Sequence, residues 1–218
     1  MLVGDCPFNR MMRELAGYGR IFFHLQDHPQ RVESLLAVME DKQRELWRIA
    51  ADSPATLLLY GLHFDSQITP PPLFRRYFLP HLQEFNRTMH RHGKLVAFHS
   101  DADTSLLLDL LLEAEYDCAD TFTCYPMVRV SLSPVRQSWG NRITIWGGIP
   151  SLLLAPTFTD PEFEAYMDDL FLTIAPGDAF ILGVGDNVLP HSLIERIRWV
   201  SQMVRERGRY PLPASRAG

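Results

Sequence analysis

Residues 93–103 read G-K-L-V-A-F-H-S-D-A-D, from Gly93 to Asp103. A glycine is followed by the apolar run Lys94–Phe98 and then, without a gap, by His99, Ser100, Asp101 and Asp103. A short apolar run without alternation is the pattern of a strand buried on both faces, as in a parallel sheet. The polar residues behind it then stand at the C-terminal end of that strand.

Working outward, the same arrangement recurs. Ala55–Tyr60, Arg142–Trp146 and Ala179–Val184 are further strand-like runs; Tyr116–Thr121 is a weaker one, and Leu2–Val3 is the remnant of another. Helical spacing of apolar residues fills the intervals over Pro29–Ala50, Pro71–His92, Asp103–Glu115, Pro161–Ala175 and Ser192–Arg207. Thr159-Asp160-Pro161-Glu162 has the form of a capping box, and Thr69 stands before Pro70–Pro72 as an N-cap before proline does. Gly93 and Gly208 fit helix stops. Strand, helix, strand, helix without strand pairs predicts right-handed βαβ units and a parallel α/β sheet.

Six strands are countable in this reading, whereas a closed (β/α) barrel has about eight strands and about 250 residues. The expectation is a barrel incomplete at its N-terminal side. Unpaired edges are a liability, so a missing segment, a partner chain or marginal solubility is expected with it. The domain is expected over residues 1–209, followed by a loose tail at Tyr210–Gly218.

The 218 residues suit one domain, with 46% hydrophobic and 22% charged residues. A net charge of -5 argues against non-specific nucleic-acid binding and against an anionic membrane surface. No stretch reaches the roughly 18 apolar residues of a membrane span, and no signal peptide is evident at the N-terminus. Three cysteines, none in a CxxC motif, suggest buried thiols in a reducing cytoplasm.

In a parallel barrel the residues after the strands share one face. Here these are His63 and Asp65; His99, Ser100, Asp101 and Asp103; Asp120 and Thr121; Gly147 and Gly148; and Gly185, Asp186 and Asn187. His99 and Asp101, two apart, project the same way from an extended chain. Imidazole plus carboxylate is a sound pair for a divalent metal, with Asp186 the best-placed third ligand. Equally, Asp101 or Asp103 caps the following helix and His99 is a hydrogen-bonded rim residue. Asp65 with His63 reads either as a substrate-facing pair or as a solvated loop. Gly147-Gly148 reads as a tight strand exit. No nucleophile elbow, P-loop, HExxH or G-x-G-x-x-G is present.

The set F-D-S-Q-I-T-P-P-P-L-F-R-R-Y-F-L-P-H-L, G-K-L-V-A-F-H-S-D-A-D, W-G-G-I-P and F-I-L-G-V-G-D-N-V-L-P resembles the uroporphyrinogen decarboxylase superfamily. The resemblance runs from about Gly4 to Gly208 and implies a TIM-type barrel with a deep site at the strand C-termini. It lies closer to the cobamide-dependent methyltransferase branch than to the decarboxylase. In that branch zinc is held by a His and a Cys of H-x-C and by a Cys of the last strand loop. On this chain those positions are His99, Asp101 and Asp186, so both cysteines are replaced by aspartate. The resemblance implies a divalent metal, zinc foremost, and a corrinoid delivered by a partner protein.

Three readings follow. The first is metal-assisted methyl transfer between a small substrate and a corrinoid protein or thiol, with His99, Asp101 and Asp186 as ligands. In it His63, Asp65, Asp103, Thr121 and Asn187 contact substrate. The second is decarboxylation of uroporphyrinogen or a related acid, with Asp65 or Asp101 stabilising a protonated intermediate. The acidic strand-end face and the absence of the decarboxylase's N-terminal arginine motif stand against it. The third is a truncated, non-catalytic barrel. A homo-oligomer is compatible with each.

Overall fold

The computed structural model describes residues 1–213. Six parallel strands form one sheet in sequential order: β1 (Leu2–Gly4), β2 (Leu57–Leu62), β3 (Leu95–His99), β4 (Cys118–Phe122), β5 (Thr144–Pro150) and β6 (Phe180–Gly185). Every neighbouring pair is parallel, and helices fill every crossover. This is the α/β, TIM-type arrangement expected, and among the described residues no pairing joins β6 to β1.

Alternation along the strands separates two faces. Leu58 and Tyr60 of β2, Val96 and Phe98 of β3, and Ile145 of β5 are fully buried. They pack under the helices: Tyr60 meets Phe85 of α5 (Leu79–Arg91), and Phe98 meets Trp139 of α7 (Leu132–Trp139). Burial of aromatic and aliphatic side chains here is the main stabilising term, at about 1.5–3 kcal/mol each. On the opposite face Trp146 (41%) and Ile181 (46%) remain accessible, and His99 and Asp120 are half-buried.

The helices depart from the sequence expectation in ways that have local causes. The expected helix over Pro71–His92 is two, α4 (Pro71–Tyr77) and α5. Pro80 in the first turn of α5 has no N–H to continue the ladder, so the chain breaks at Phe78. The helix expected from Asp103 starts later, as α6 (Leu108–Glu113), because residues 103–107 are taken by turns. Between β1 and β2 the expected α3 (Pro29–Asp52) is preceded by α1 (Pro7–Arg10), a π-helical turn over Met11–Ala16, and α2 (Tyr18–Asp27).

α8 (Asp160–Ile174) begins with the expected capping box: Thr159 accepts from the Glu162 N–H, and the Glu162 carboxylate accepts from the Thr159 N–H at 2.7 Å. α9 (Ile194–Arg207) closes the order. In the segment expected as a tail, the Tyr210 hydroxyl donates to the Phe180 carbonyl at 2.9 Å and Leu212 is buried. Residues 214–218 of that segment lie outside the described residues.

Gly147 explains the W-G-G motif. A Cβ there would lie 2.4 Å from the Phe122 carbonyl oxygen of β4, so no larger residue fits without moving the strand.

Candidate metal centre at the strand ends

β2 runs two residues further than its apolar core suggests and ends at Leu62, which pairs with His99 of β3. His63 follows immediately, with a left-handed φ of 56°. Register thus sets two histidines side by side: their ring centroids are 5.3 Å apart and their planes nearly perpendicular. Asp101 lies between them. Its Oδ1 is 2.8 Å from His63 Nδ1 and its Oδ2 is 3.4 Å from His99 Nε2. One ligand atom from each of His63, His99 and Asp101 falls within 4.8 Å of the others.

The other edge of the His99 ring is held by β4. Nδ1 is 2.8 Å from the Thr121 hydroxyl and 3.4 Å from Asp120 Oδ2. β3 pairs with β4 so that His99 stands opposite Asp120. Hydrogen bonds to Asp101 and Asp120 raise the His99 pKa to about 9, against the opposing effect of burial. Burial pushes the Asp101 carboxyl upward, but hydrogen bonds from His99 and His63 outweigh it and hold the group below its ordinary value. Near neutral pH, without an ion, the centre is therefore a His99 imidazolium flanked by the Asp101 and Asp120 carboxylates, and a divalent cation would take the place of its proton.

The remaining sequence candidates are placed as follows. Asp186, after β6, directs its main-chain N–H to the Thr121 carbonyl at 3.3 Å and its carboxylate to the Asn187 amide at 2.8 Å. It is not in the ligand-atom group, which takes His63 instead. Asp65 closes its own turn: Oδ1 accepts from the Gln67 and Ile68 N–H groups. Asp103 is buried, and its Oδ1 accepts from the Ser105 N–H at 3.1 Å while its carbonyl accepts from the Ser66 N–H at 2.7 Å. His63, Thr121 and Asp186 all have positive φ, an arrangement costing of order 1 kcal/mol or more per non-glycine residue. Such strain gathers at sites where side-chain direction matters.

Two contributors were not singled out from sequence. Asp120 was visible only as a strand-end carboxylate, without a role. Arg196 of α9 is buried, and its guanidinium donates to the carbonyls of Leu153, Ala155 and Phe158 and to Asp160. It fixes the segment that leaves β5. No spacing rule reveals either, since their partners come from distant elements.

A model of the uroporphyrinogen decarboxylase (URO-D) family matches residues 7–207. The chain belongs to the uroporphyrinogen decarboxylase family. Among solved structures, a methyltransferase from Methanosarcina mazei is similar, with a TM-score of 0.67 and 14% identity. The match covers 93% of this chain and 57% of that one, so this chain spans little more than half of that neighbour's length. At that identity the likeness shows the fold. A search of curated proteins returns no match. No helix among the described residues is long and apolar enough to cross a membrane. Cys6, Cys118 and Cys124 are buried and unpaired.

Proposed function

We propose that this chain is a metal-assisted URO-D-family enzyme that moves a methyl group between a small substrate and a corrinoid protein or thiol acceptor in the cytoplasm. The observation that carries the reading is the approach of His63, His99 and Asp101 at adjacent strand ends. In place of the expected Asp186, we take His63 as the third ligand. Two imidazoles and a carboxylate are ordinary zinc donors, and three protein ligands leave a fourth position open, as catalytic zinc sites need. The donors also fit in detail: His63 turns Nδ1, and His99 turns Nε2, toward Asp101.

A divalent ion bound there would supply Lewis acidity, lowering the pKa of an acceptor so that it reacts as its anion near neutral pH. The residues of the chain bind and orient. His63, His99 and Asp101 hold the ion, Asp120 and Thr121 fix the His99 ring, and Asp186 with Asn187 serves the substrate side. Asp65 and Asp103 hold the turns that follow β2 and β3. The methyltransferase of the same fold supports this reaction class. Decarboxylation of a polyanionic porphyrinogen fits less well, because Asp101, Asp120 and Asp186 would repel substrate carboxylates.

The test is metal content. Protein dialysed against zinc and then freed of excess should retain one zinc per chain, and His99→Ala should lose it. Wild-type protein with no more zinc than the dialysis buffer would contradict the proposal.

A further inference from the structure

The hydroxyl of Thr121 has a single proton, and the geometry accounts for it. Oγ1 lies 2.7 Å from the carbonyl oxygen of Asp120, to which it donates. The same oxygen lies 2.8 Å from His99 Nδ1, so toward the ring it acts as acceptor. The second group facing Nδ1 is the Asp120 carboxylate, also an acceptor. A bare lone pair on Nδ1 would meet two oxygen lone pairs. Nδ1 therefore keeps its hydrogen, and the proton that a bound ion would displace is the one on Nε2, the nitrogen turned toward Asp101.

We infer that Thr121, with Asp120, is a positioning residue that fixes the tautomer of His99 and reserves Nε2 for the ion. The inference rests on the metal reading above and deepens it. It also gives a purpose to the left-handed backbone of Thr121, whose φ is 54°. A β-branched residue is poorly suited to that conformation. Here the backbone turn brings the hydroxyl to the Nδ1 edge of the ring, and the main-chain N–H of Asp186 caps the Thr121 carbonyl. Outer partners of a metal-bound histidine act in this way, setting which nitrogen is free and how the ring is aimed.

The experiment loads the full chain, labelled with ¹⁵N-histidine, with ¹¹³Cd and reads cadmium–nitrogen coupling. Coupling to His99 Nε2, with Nδ1 retaining its proton, is expected. Zinc affinity is then compared across variants: Thr121→Val should lose roughly 10–100-fold, the usual cost of an outer partner, and Thr121→Ser should restore most of it. Cadmium coupled through His99 Nδ1 would overturn this inference and leave the metal reading standing. So would unchanged zinc affinity in Thr121→Val. Failure to take up cadmium or zinc at all would overturn both. The wild-type spectrum needs no variant, so a poorly folding Thr121→Val would not remove the test.

Discussion

The main-chain N–H of Asp186 donates to the carbonyl of Thr121 at 3.3 Å, tying the end of β6 to the end of β4. The β5 strand lies between them in the sheet, and its Gly147 is small enough to let the β4 backbone pass close by. Asp186 therefore reaches the centre through its backbone, which supports Thr121, which in turn supports His99. Its carboxylate accepts from the neighbouring Asn187 amide through Oδ1.

Arg196 should be the costliest polar residue to remove outside the centre. Its guanidinium satisfies three main-chain carbonyls between Leu153 and Phe158 as well as Asp160, and it is 3% exposed. Arg196→Met leaves those carbonyls without donors. A loss of about 3 kcal/mol is expected, since each buried unsatisfied group costs about 1–3 kcal/mol. Urea denaturation measures it, and a midpoint equal to that of wild type would show that water replaces the guanidinium.

His81 makes stability depend on acid. Burial lowers its pKa from 6.5 to about 4. The charge of Glu84 opposes this, yet burial outweighs it and the ring stays neutral. The unfolded chain takes up a proton below about 6.5, whereas the folded chain does so only below about 4. Stability is therefore full above 6.5 and is lost as pH falls toward 4, by on the order of 3 kcal/mol. Urea midpoints between pH 7 and pH 4 should fall, and the fall should be shallower in His81→Gln. Equal slopes for the two proteins would assign the acid sensitivity elsewhere.

Thr159→Ala removes the acceptor for the Glu162 N–H at the start of α8. A loss of about 1 kcal/mol is expected, read as a lower thermal midpoint. Thr159→Ser should recover most of it, and an alanine variant as stable as wild type would show that the box contributes nothing here.

That capping box was readable in the sequence because all its members lie within four consecutive positions. The strands were readable for a similar reason: Leu95–Phe98 and Ile181–Val184 are apolar runs that need no distant partner to be recognised. Their ends were harder to place. β2 looked finished at Tyr60, but Leu62 pairs with His99 and continues it. This hid the closeness of His63 to His99 and Asp101, although His63 was placed after a strand as expected. Nothing in the spacing of His63 and His99 brings them together; the β2–β3 register does. Asp186 had the opposite fate. It stands after a strand as expected, but its left-handed backbone directs its groups to Thr121 and Asn187. The missed α2 and α7 are short segments punctuated by Gly19 and Pro134, where helical spacing has little length in which to show.

Zinc titration calorimetry on wild type, His63→Ala and Asp186→Asn bears most directly on the centre. The account predicts one site per chain in wild type, affinity within roughly threefold in Asp186→Asn, and a loss in His63→Ala exceeding the roughly tenfold minimum for an outer partner. Zinc binding that survives in His63→Ala but is abolished in Asp186→Asn would contradict it.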